Sequence, residues 1–222
     1  MQTAKFETWV KRWNRAIAAA RGRGADVGDT RLVVSPPATE SQVQDVENAI
    51  NVKIPLQFRQ TLLEFSSRVD FFWYLKSGDY APQPLPPIFC GGCNWDVEQL
   101  VRDYNHVVWL EKNAFIENVP EEKLWQSKFP FHPIASGDFI AIDQTSSNKQ
   151  RVVYLGHELA GSHAHWLGAD FYDFMDRWTA LGCPDDDIWP CFVPDRNNYI
   201  DLNHENAKLW CKWFGLPPPN EA

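Results

Sequence analysis

Apolar and polar positions alternate along the chain in two periods, and the period marks the elements. Over residues 4 to 21, Phe6, Trp9, Val10, Trp13 and Ile17 recur at helical spacing, while Lys5, Lys11, Arg12 and Arg15 fall mostly elsewhere. This predicts an amphipathic helix. Such a helix packs on the main domain or, alternatively, lies on a membrane or partner surface; packing is the expectation. The stretch "RGRGADVGD" reads as a flexible joint. Thr39 followed by Gln42 matches a capping box, so a second helix starts there with Val43, Val46 and Ile50 inward. "NVKIP" breaks it, and Pro55 suits the first turn of a third helix carrying Leu56, Phe58, Leu62, Leu63 and Phe65. "DFFWYL" (70–75) reads as an aromatic strand.

Beyond the loop "KSGDYAPQPLPP", "IFCGGC" predicts a short strand with a glycine break. Residues 95–112 fit a helix with Val97, Leu100, Val101, Tyr104, Val108 and Leu110 inward, and 120–127 a short helix after Pro120. Strand-like runs follow at 131–135, 138–143 and 151–156, the last two joined by the polar connection "TSSNKQ", with "SHAHWLG" as a fourth. "ADFYDFMDRWTALG" is amphipathic, with Phe171, Phe174, Met175 and Trp178 inward and Gly182 at its C-terminal cap. A last helix runs from about Asn203 to Phe214 and stops at Gly215. Helices, then clustered strands, then helices make an α+β order, without regular βαβ alternation.

Size changes this picture little: 222 residues with 44% hydrophobic content can bury a core without disulfides or metals. Charge adds more. The chain carries −8, yet residues 1–38 sum to +4, so the remainder carries −12. An acidic body repels nucleic acid and favours basic partners, although acidity also simply keeps a protein in solution. No apolar stretch suits a signal peptide or a membrane span. With five cysteines, an odd number, the expectation is reduced thiols in the cytoplasm.

Candidate chemistry is sparse. Cys90 and Cys93 form a CxxC pair, which suits a redox dithiol or half a zinc site with Cys183 and Cys191; ordinary buried thiols are the plainer reading. His163 and His165 would share one strand face and, with His157, form a histidine cluster short of an obvious third metal ligand. Asp170, Asp173 and Asp176 recur every three residues, as a solvated helix face does, and Asp185-Asp186-Asp187 is a charge run of the same kind. There is no dinucleotide, P-loop or nucleophile-elbow motif. No catalytic constellation is visible, and no cofactor is expected.

The order of the pieces is similar to a known family. "ATESQVQDVENAINVKIPLQFRQTLLEFSS" resembles the opening of the SUKH superfamily, which includes the fungal Smi/Knr cell-wall-assembly regulator, through Ile54, Pro55, Phe58, Leu62 and Leu63. Ser66-Ser67 stands where the family usually has Asn-Gly. "FPFHPIASGDFIAID" resembles a second family segment through Pro133, Gly137, Asp138 and Asp143. "RVVYLGHE" and "ADFYDFMDRW" resemble the next strand and the closing helix, with Ala169 where Ser is frequent. The likeness spans about residues 32–182 and implies a central, mainly antiparallel sheet flanked by helices. Residues 1–31 and 183–222 are then an N-terminal helix with its joint and a C-terminal helical extension.

The resemblance also implies no catalysis. It points to a protein-binding module of the immunity type, which neutralises a cognate bacterial toxin by occluding its active site; an intracellular scaffold or regulator is the alternative. The expected partner is a basic toxin domain, not nucleic acid or membrane. The expected contact residues are Trp73, Tyr74, Asp79, Tyr80, Asp138 and Asp143, because aromatic residues anchor interfaces and acidic ones suit a basic partner. For each, core packing or turn chemistry is the competing explanation. Gly137-Asp138 in particular reads first as a tight turn, with Asp138 bonding nearby backbone N–H groups. A patch shared by Asp138 and Glu158 stays open.

Overall fold

The computed structural model describes residues 2–25, 31–76, 78–86, 88, 90–113, 125–134, 136–145, 150–156, 165–184, 189–195 and 198–221. The expected short helix over 120–127, most of the 145–150 connection, His157, Glu158, His163 and Asp185 to Asp187 lie wholly or largely outside these residues.

Helix α1 (Gln2–Gly22) buries Phe6, Trp9, Trp13, Ala16, Ile17 and Ala20 along one stripe. A two-residue strand β1 (Val33–Val34) precedes α2 (Glu40–Ile50). The capping box of α2 is formed in full: Gln42 N–H donates to the Thr39 side chain, and the Gln42 side chain accepts from Thr39 N–H at 2.9 Å. Helix α3 (Leu56–Glu64) follows Pro55 and leads into β2 (Arg68–Tyr74). Strand β3 (Cys90–Asp96) precedes α4 (Leu100–Asn113). Strands β4 (Lys128–Pro133), β5 (Phe139–Asp143), β6 (Val152–Leu155) and β7 (Trp166–Gly168) come next. Helices α5 (Phe171–Ala180), α6 (Trp189–Phe192) and α7 (Glu205–Phe214) complete the chain.

The α+β order holds, but the strands form two antiparallel sheets, β1-β2-β3 and β4-β5-β6-β7, where one central sheet was expected. At their junction the imidazole of His132 on β4 accepts from Asn94 N–H on β3, Nδ1 to N 3.0 Å. The expected helix from residue 95 is also corrected: Trp95 and Asp96 belong to β3. Helix α4 turns Leu100, Asp103, Val107 and Leu110 inward, one position off the expected Val108.

Both faces of the four-stranded sheet are covered, which explains its nearly unbroken apolar runs. Ile140, Ile142, Val152 and Tyr154 face the main core, and Phe139, Ala141, Val153 and Leu155 face a smaller cluster with Val107, Leu110 and Trp125. The turn between β4 and β5 is as the sequence suggests, with Gly137 at φ +96° and its N–H bonded to the Ile134 carbonyl at 3.0 Å.

The terminal segments share the main core. Trp13 packs on Phe65, Phe71 and Trp95, with ring centroids 6.0–6.1 Å apart. Trp73 packs on Trp210 and Phe214 of α7, at 6.2 and 4.7 Å. Asp176 fastens α1 to α5: it accepts from Trp9 Nε1 at 2.7 Å and from Lys5 at 2.5 Å. Asp170 caps α5, and Asp173 bonds Arg177 and Ala169 N–H. The aspartates expected to form a solvated face are thus structural.

Candidate functional site

Strand β2 alternates strictly. Val69, Phe71 and Trp73 point into the core, while Arg68, Asp70, Phe72 and Tyr74 point outward. Helices α1 and α7 cover the inner face. On a half-covered antiparallel sheet the outward positions are normally polar. Here Phe72 is 39% and Tyr74 42% exposed, their rings edge to face at 5.8 Å.

Strand β3 sets the floor beside them. In register, Asp70 faces Asn94, Phe72 faces Gly92 and Tyr74 faces Cys90. A Cβ on Gly92 would lie 2.4 Å from the Phe71 carbonyl, and one on Gly91 2.3 Å from the Trp73 ring. The close approach of these strands therefore requires glycine at both positions. It also leaves the backbone bare as the floor of a groove of about 460 Å³, with His132, Pro133 and Ile134 as the opposite wall. His132 is buried against Trp178, ring centroids 5.0 Å apart, and burial lowers its pKa to about 4, with the Asn94 backbone acting in the opposite sense. The wall is therefore neutral at pH 7.

At the far end of the same face, Arg68 bonds Asp70 at 2.8 Å and lies 3.8 Å from Asp96. The Asp70 hydrogen bond, with the charges of Asp70, Asp96 and Glu98, raises the Arg68 pKa against the opposing effect of burial.

The expected contact residues are scattered. Trp73 is fully buried and donates Nε1–H to the Gly182 carbonyl at 3.2 Å, so it is core. Its neighbour Tyr74 is at the groove. Asp79 is held by a two-pronged bond from Arg23, at 2.9 and 2.7 Å. Tyr80 is 54% exposed in the following loop, outside the groove lining. Asp138 is buried, and its carboxylate accepts from the Ser136 hydroxyl at 2.9 Å and from the Tyr154 hydroxyl. Asp143 accepts from Thr145 N–H at 2.8 Å and pairs with Lys128 at 3.2 Å. The structure brings only Tyr74 of the six to the groove. Asp70, Phe72, Gly92 and His132 line the groove and are not among the expected residues; the alternation in "RVDFFWY" carries the signal for the first two, since Trp73 and Tyr74 are adjacent in a strand and cannot share a face.

The cysteine pair has the same geometry. Cys90 and Cys93 are three apart in a strand and point to opposite faces, so they do not chelate one ion together. Cys93 lies buried beside Cys183, and burial with that contact pushes its thiol pKa well up. Among the described residues no three His, Cys, Asp or Glu side chains group as metal ligands. None of the described helices is long and apolar enough to cross a membrane.

No curated protein matches the chain significantly. The model of the SMI1 / KNR4 family (SUKH-1) matches residues 37–177, which run from just before α2 into α5 and include the three strands that line the groove. With well over half of its length matched in this way, the chain belongs to the SMI1/KNR4 (SUKH-1) family.

Proposed function

We propose that the protein is a non-enzymatic binding module of the immunity type, which covers the active site of a cognate toxin domain with the outer face of β2 and β3. Family membership supports protein binding at the level of the family. The observation that carries the reading to a site is the outward pair Phe72 and Tyr74 beside a bare glycine floor. Aromatic side chains left in water on one sheet face gain when a partner removes them from it, by roughly 25 cal/mol per Å². Tyr and Phe bring that area with few rotatable bonds, which keeps the entropy cost of ordering small. The net charge of −8 steers a basic partner toward the complex and repels phosphate-rich surfaces.

The test is co-purification from the native host on a tagged copy, read by mass spectrometry, alongside a Phe72→Ser/Tyr74→Ser variant. One dominant partner with a basic, toxin-like domain, captured by the native chain and lost with the variant, is the expected result. Several host proteins with no toxin among them would replace this reading with that of an intracellular regulator.

A further inference from the structure

We infer that the groove takes an extended segment of a protein partner, with an apolar side chain against Tyr74, a second against Phe72, and an arginine or lysine four residues from the first at Asp70. This rests on the preceding reading that the outer face of β2 and β3 binds protein, and it specifies what the partner presents there.

The face is graded along its length. Tyr74 with Cys90 and Phe72 with Gly92 make an apolar end; Asp70 with Asn94, then Arg68 with Asp96, make a polar one. Strand rise places Asp70 about 13 Å from Tyr74, the span of four extended residues. An extended partner puts side chains i, i+2 and i+4 on one face and so matches that gradient. The groove supplies apolar walls and a floor without side chains, which lets a partner backbone approach closely.

Charge decides the second anchor. Arg68 bonds Asp70 and lies near Asp96, and Glu98 adds to the negative field on it. Two carboxylates thus lie against one cation, and a third adds to the field on it. Arg68 is itself 47% exposed, and exposed ion pairs exchange readily. The resident guanidinium shows what this end attracts, and its surplus of negative charge leaves room for another. An acidic segment or a nucleic acid phosphate is repelled by the same field. A second copy of this chain is disfavoured by its own net charge of −8.

The probe is the synthetic peptide Ac-GSWTVTRSG-amide, together with its reversed sequence and versions with Arg replaced by Glu or Trp by Ser. Each is titrated into the ¹⁵N-labelled full chain and followed by amide shift changes. The expected result is weak, saturable binding of one orientation, mapped to β2, β3 and the end of β4. Affinity should fall about fivefold for the Glu peptide and for Asp70→Asn, and rise about threefold for Arg68→Ala, because exposed charge pairs carry effects of this size. Equal binding of the Arg and Glu peptides, shifts mapped elsewhere, or no saturable shift would each overturn the inference. The two readings fail separately. A captured toxin whose binding ignores Asp70→Asn refutes this inference alone, whereas peptide binding with no toxin partner refutes the immunity reading alone.

Discussion

Trp73 and Tyr74 are neighbours in sequence, and the structure assigns them opposite consequences. Trp73→Ala empties the space between β2 and α7: the indole contacts Trp210 and Phe214 and donates to the Gly182 carbonyl. Truncating a fully buried Trp costs about 3–5 kcal/mol through lost burial and the cavity left behind. The Gly182 carbonyl loses its donor as well, at about 1 kcal/mol. Against a total stability of about 5–15 kcal/mol this is a large fraction, and in a chain of this size it lowers Tm by roughly 10 °C or more. Tyr74→Ala removes a half-exposed ring and stays within about 1 kcal/mol of the native chain. Urea unfolding followed by tryptophan fluorescence measures both. If Tyr74→Ala proves as costly as Trp73→Ala, or if Trp73→Ala unfolds at the native midpoint, the assignment of inner and outer faces is wrong.

Acid should act on the fold at two places. Burial lowers the His132 pKa to about 4, below its ordinary value, so its neutral form contributes stability that is complete above about pH 6.5 and is lost as pH falls toward 4. The loss is on the order of 3 kcal/mol, and His132→Gln should flatten that part of a stability–pH profile. For Glu47, burial raises the carboxyl pKa but is outweighed by Lys53, the Ile54 N–H and Arg59, leaving it below the usual carboxylate range. Its contribution is present above its unfolded pKa and is lost as pH falls through the folded one; Glu47→Gln should cost about 1–3 kcal/mol in chemical denaturation at neutral pH. Gly91→Ala places a methyl within 2.3 Å of the Trp73 ring and the Cys183 carbonyl, and should destabilise by about 1–3 kcal/mol in the same assay. Starting the chain at residue 26 uncovers Phe65, Phe71 and Trp95, and calorimetry should then show no cooperative transition.

The elements legible in sequence are those fixed by local chemistry. The α1 stripe, the Thr39 capping box, the Gly137 turn and the cap positions of Gly182 and Gly215 each follow from residues within a few positions of one another. Strand β3 was only half legible, since two adjacent glycines are poor strand formers and their reason lies across the fold, in Trp73 and the carbonyl of Cys183. The two sheets meet where His132 bonds Asn94, 38 residues apart, a contact that no periodicity encodes. The site failed differently. Asp138 looks like a surface turn residue beside Gly137, but the Tyr154 hydroxyl draws its carboxylate inward from another strand. Asp79 likewise answers to Arg23 at the end of α1. Polar residues in turn-like sequences read as surface, whereas at the groove the exposed side chains are Phe72 and Tyr74, aromatic residues that composition alone would bury.

In the proposed function a protein partner sits on the outer face of β2 and β3. The most direct measurement is the affinity of the co-purified partner for the native chain and for Phe72→Ser/Tyr74→Ser, with both chains confirmed folded by their unfolding midpoints. A loss of about a hundredfold is expected, as when two central aromatic anchors are removed. A folded variant that binds the same partner with native affinity would contradict it.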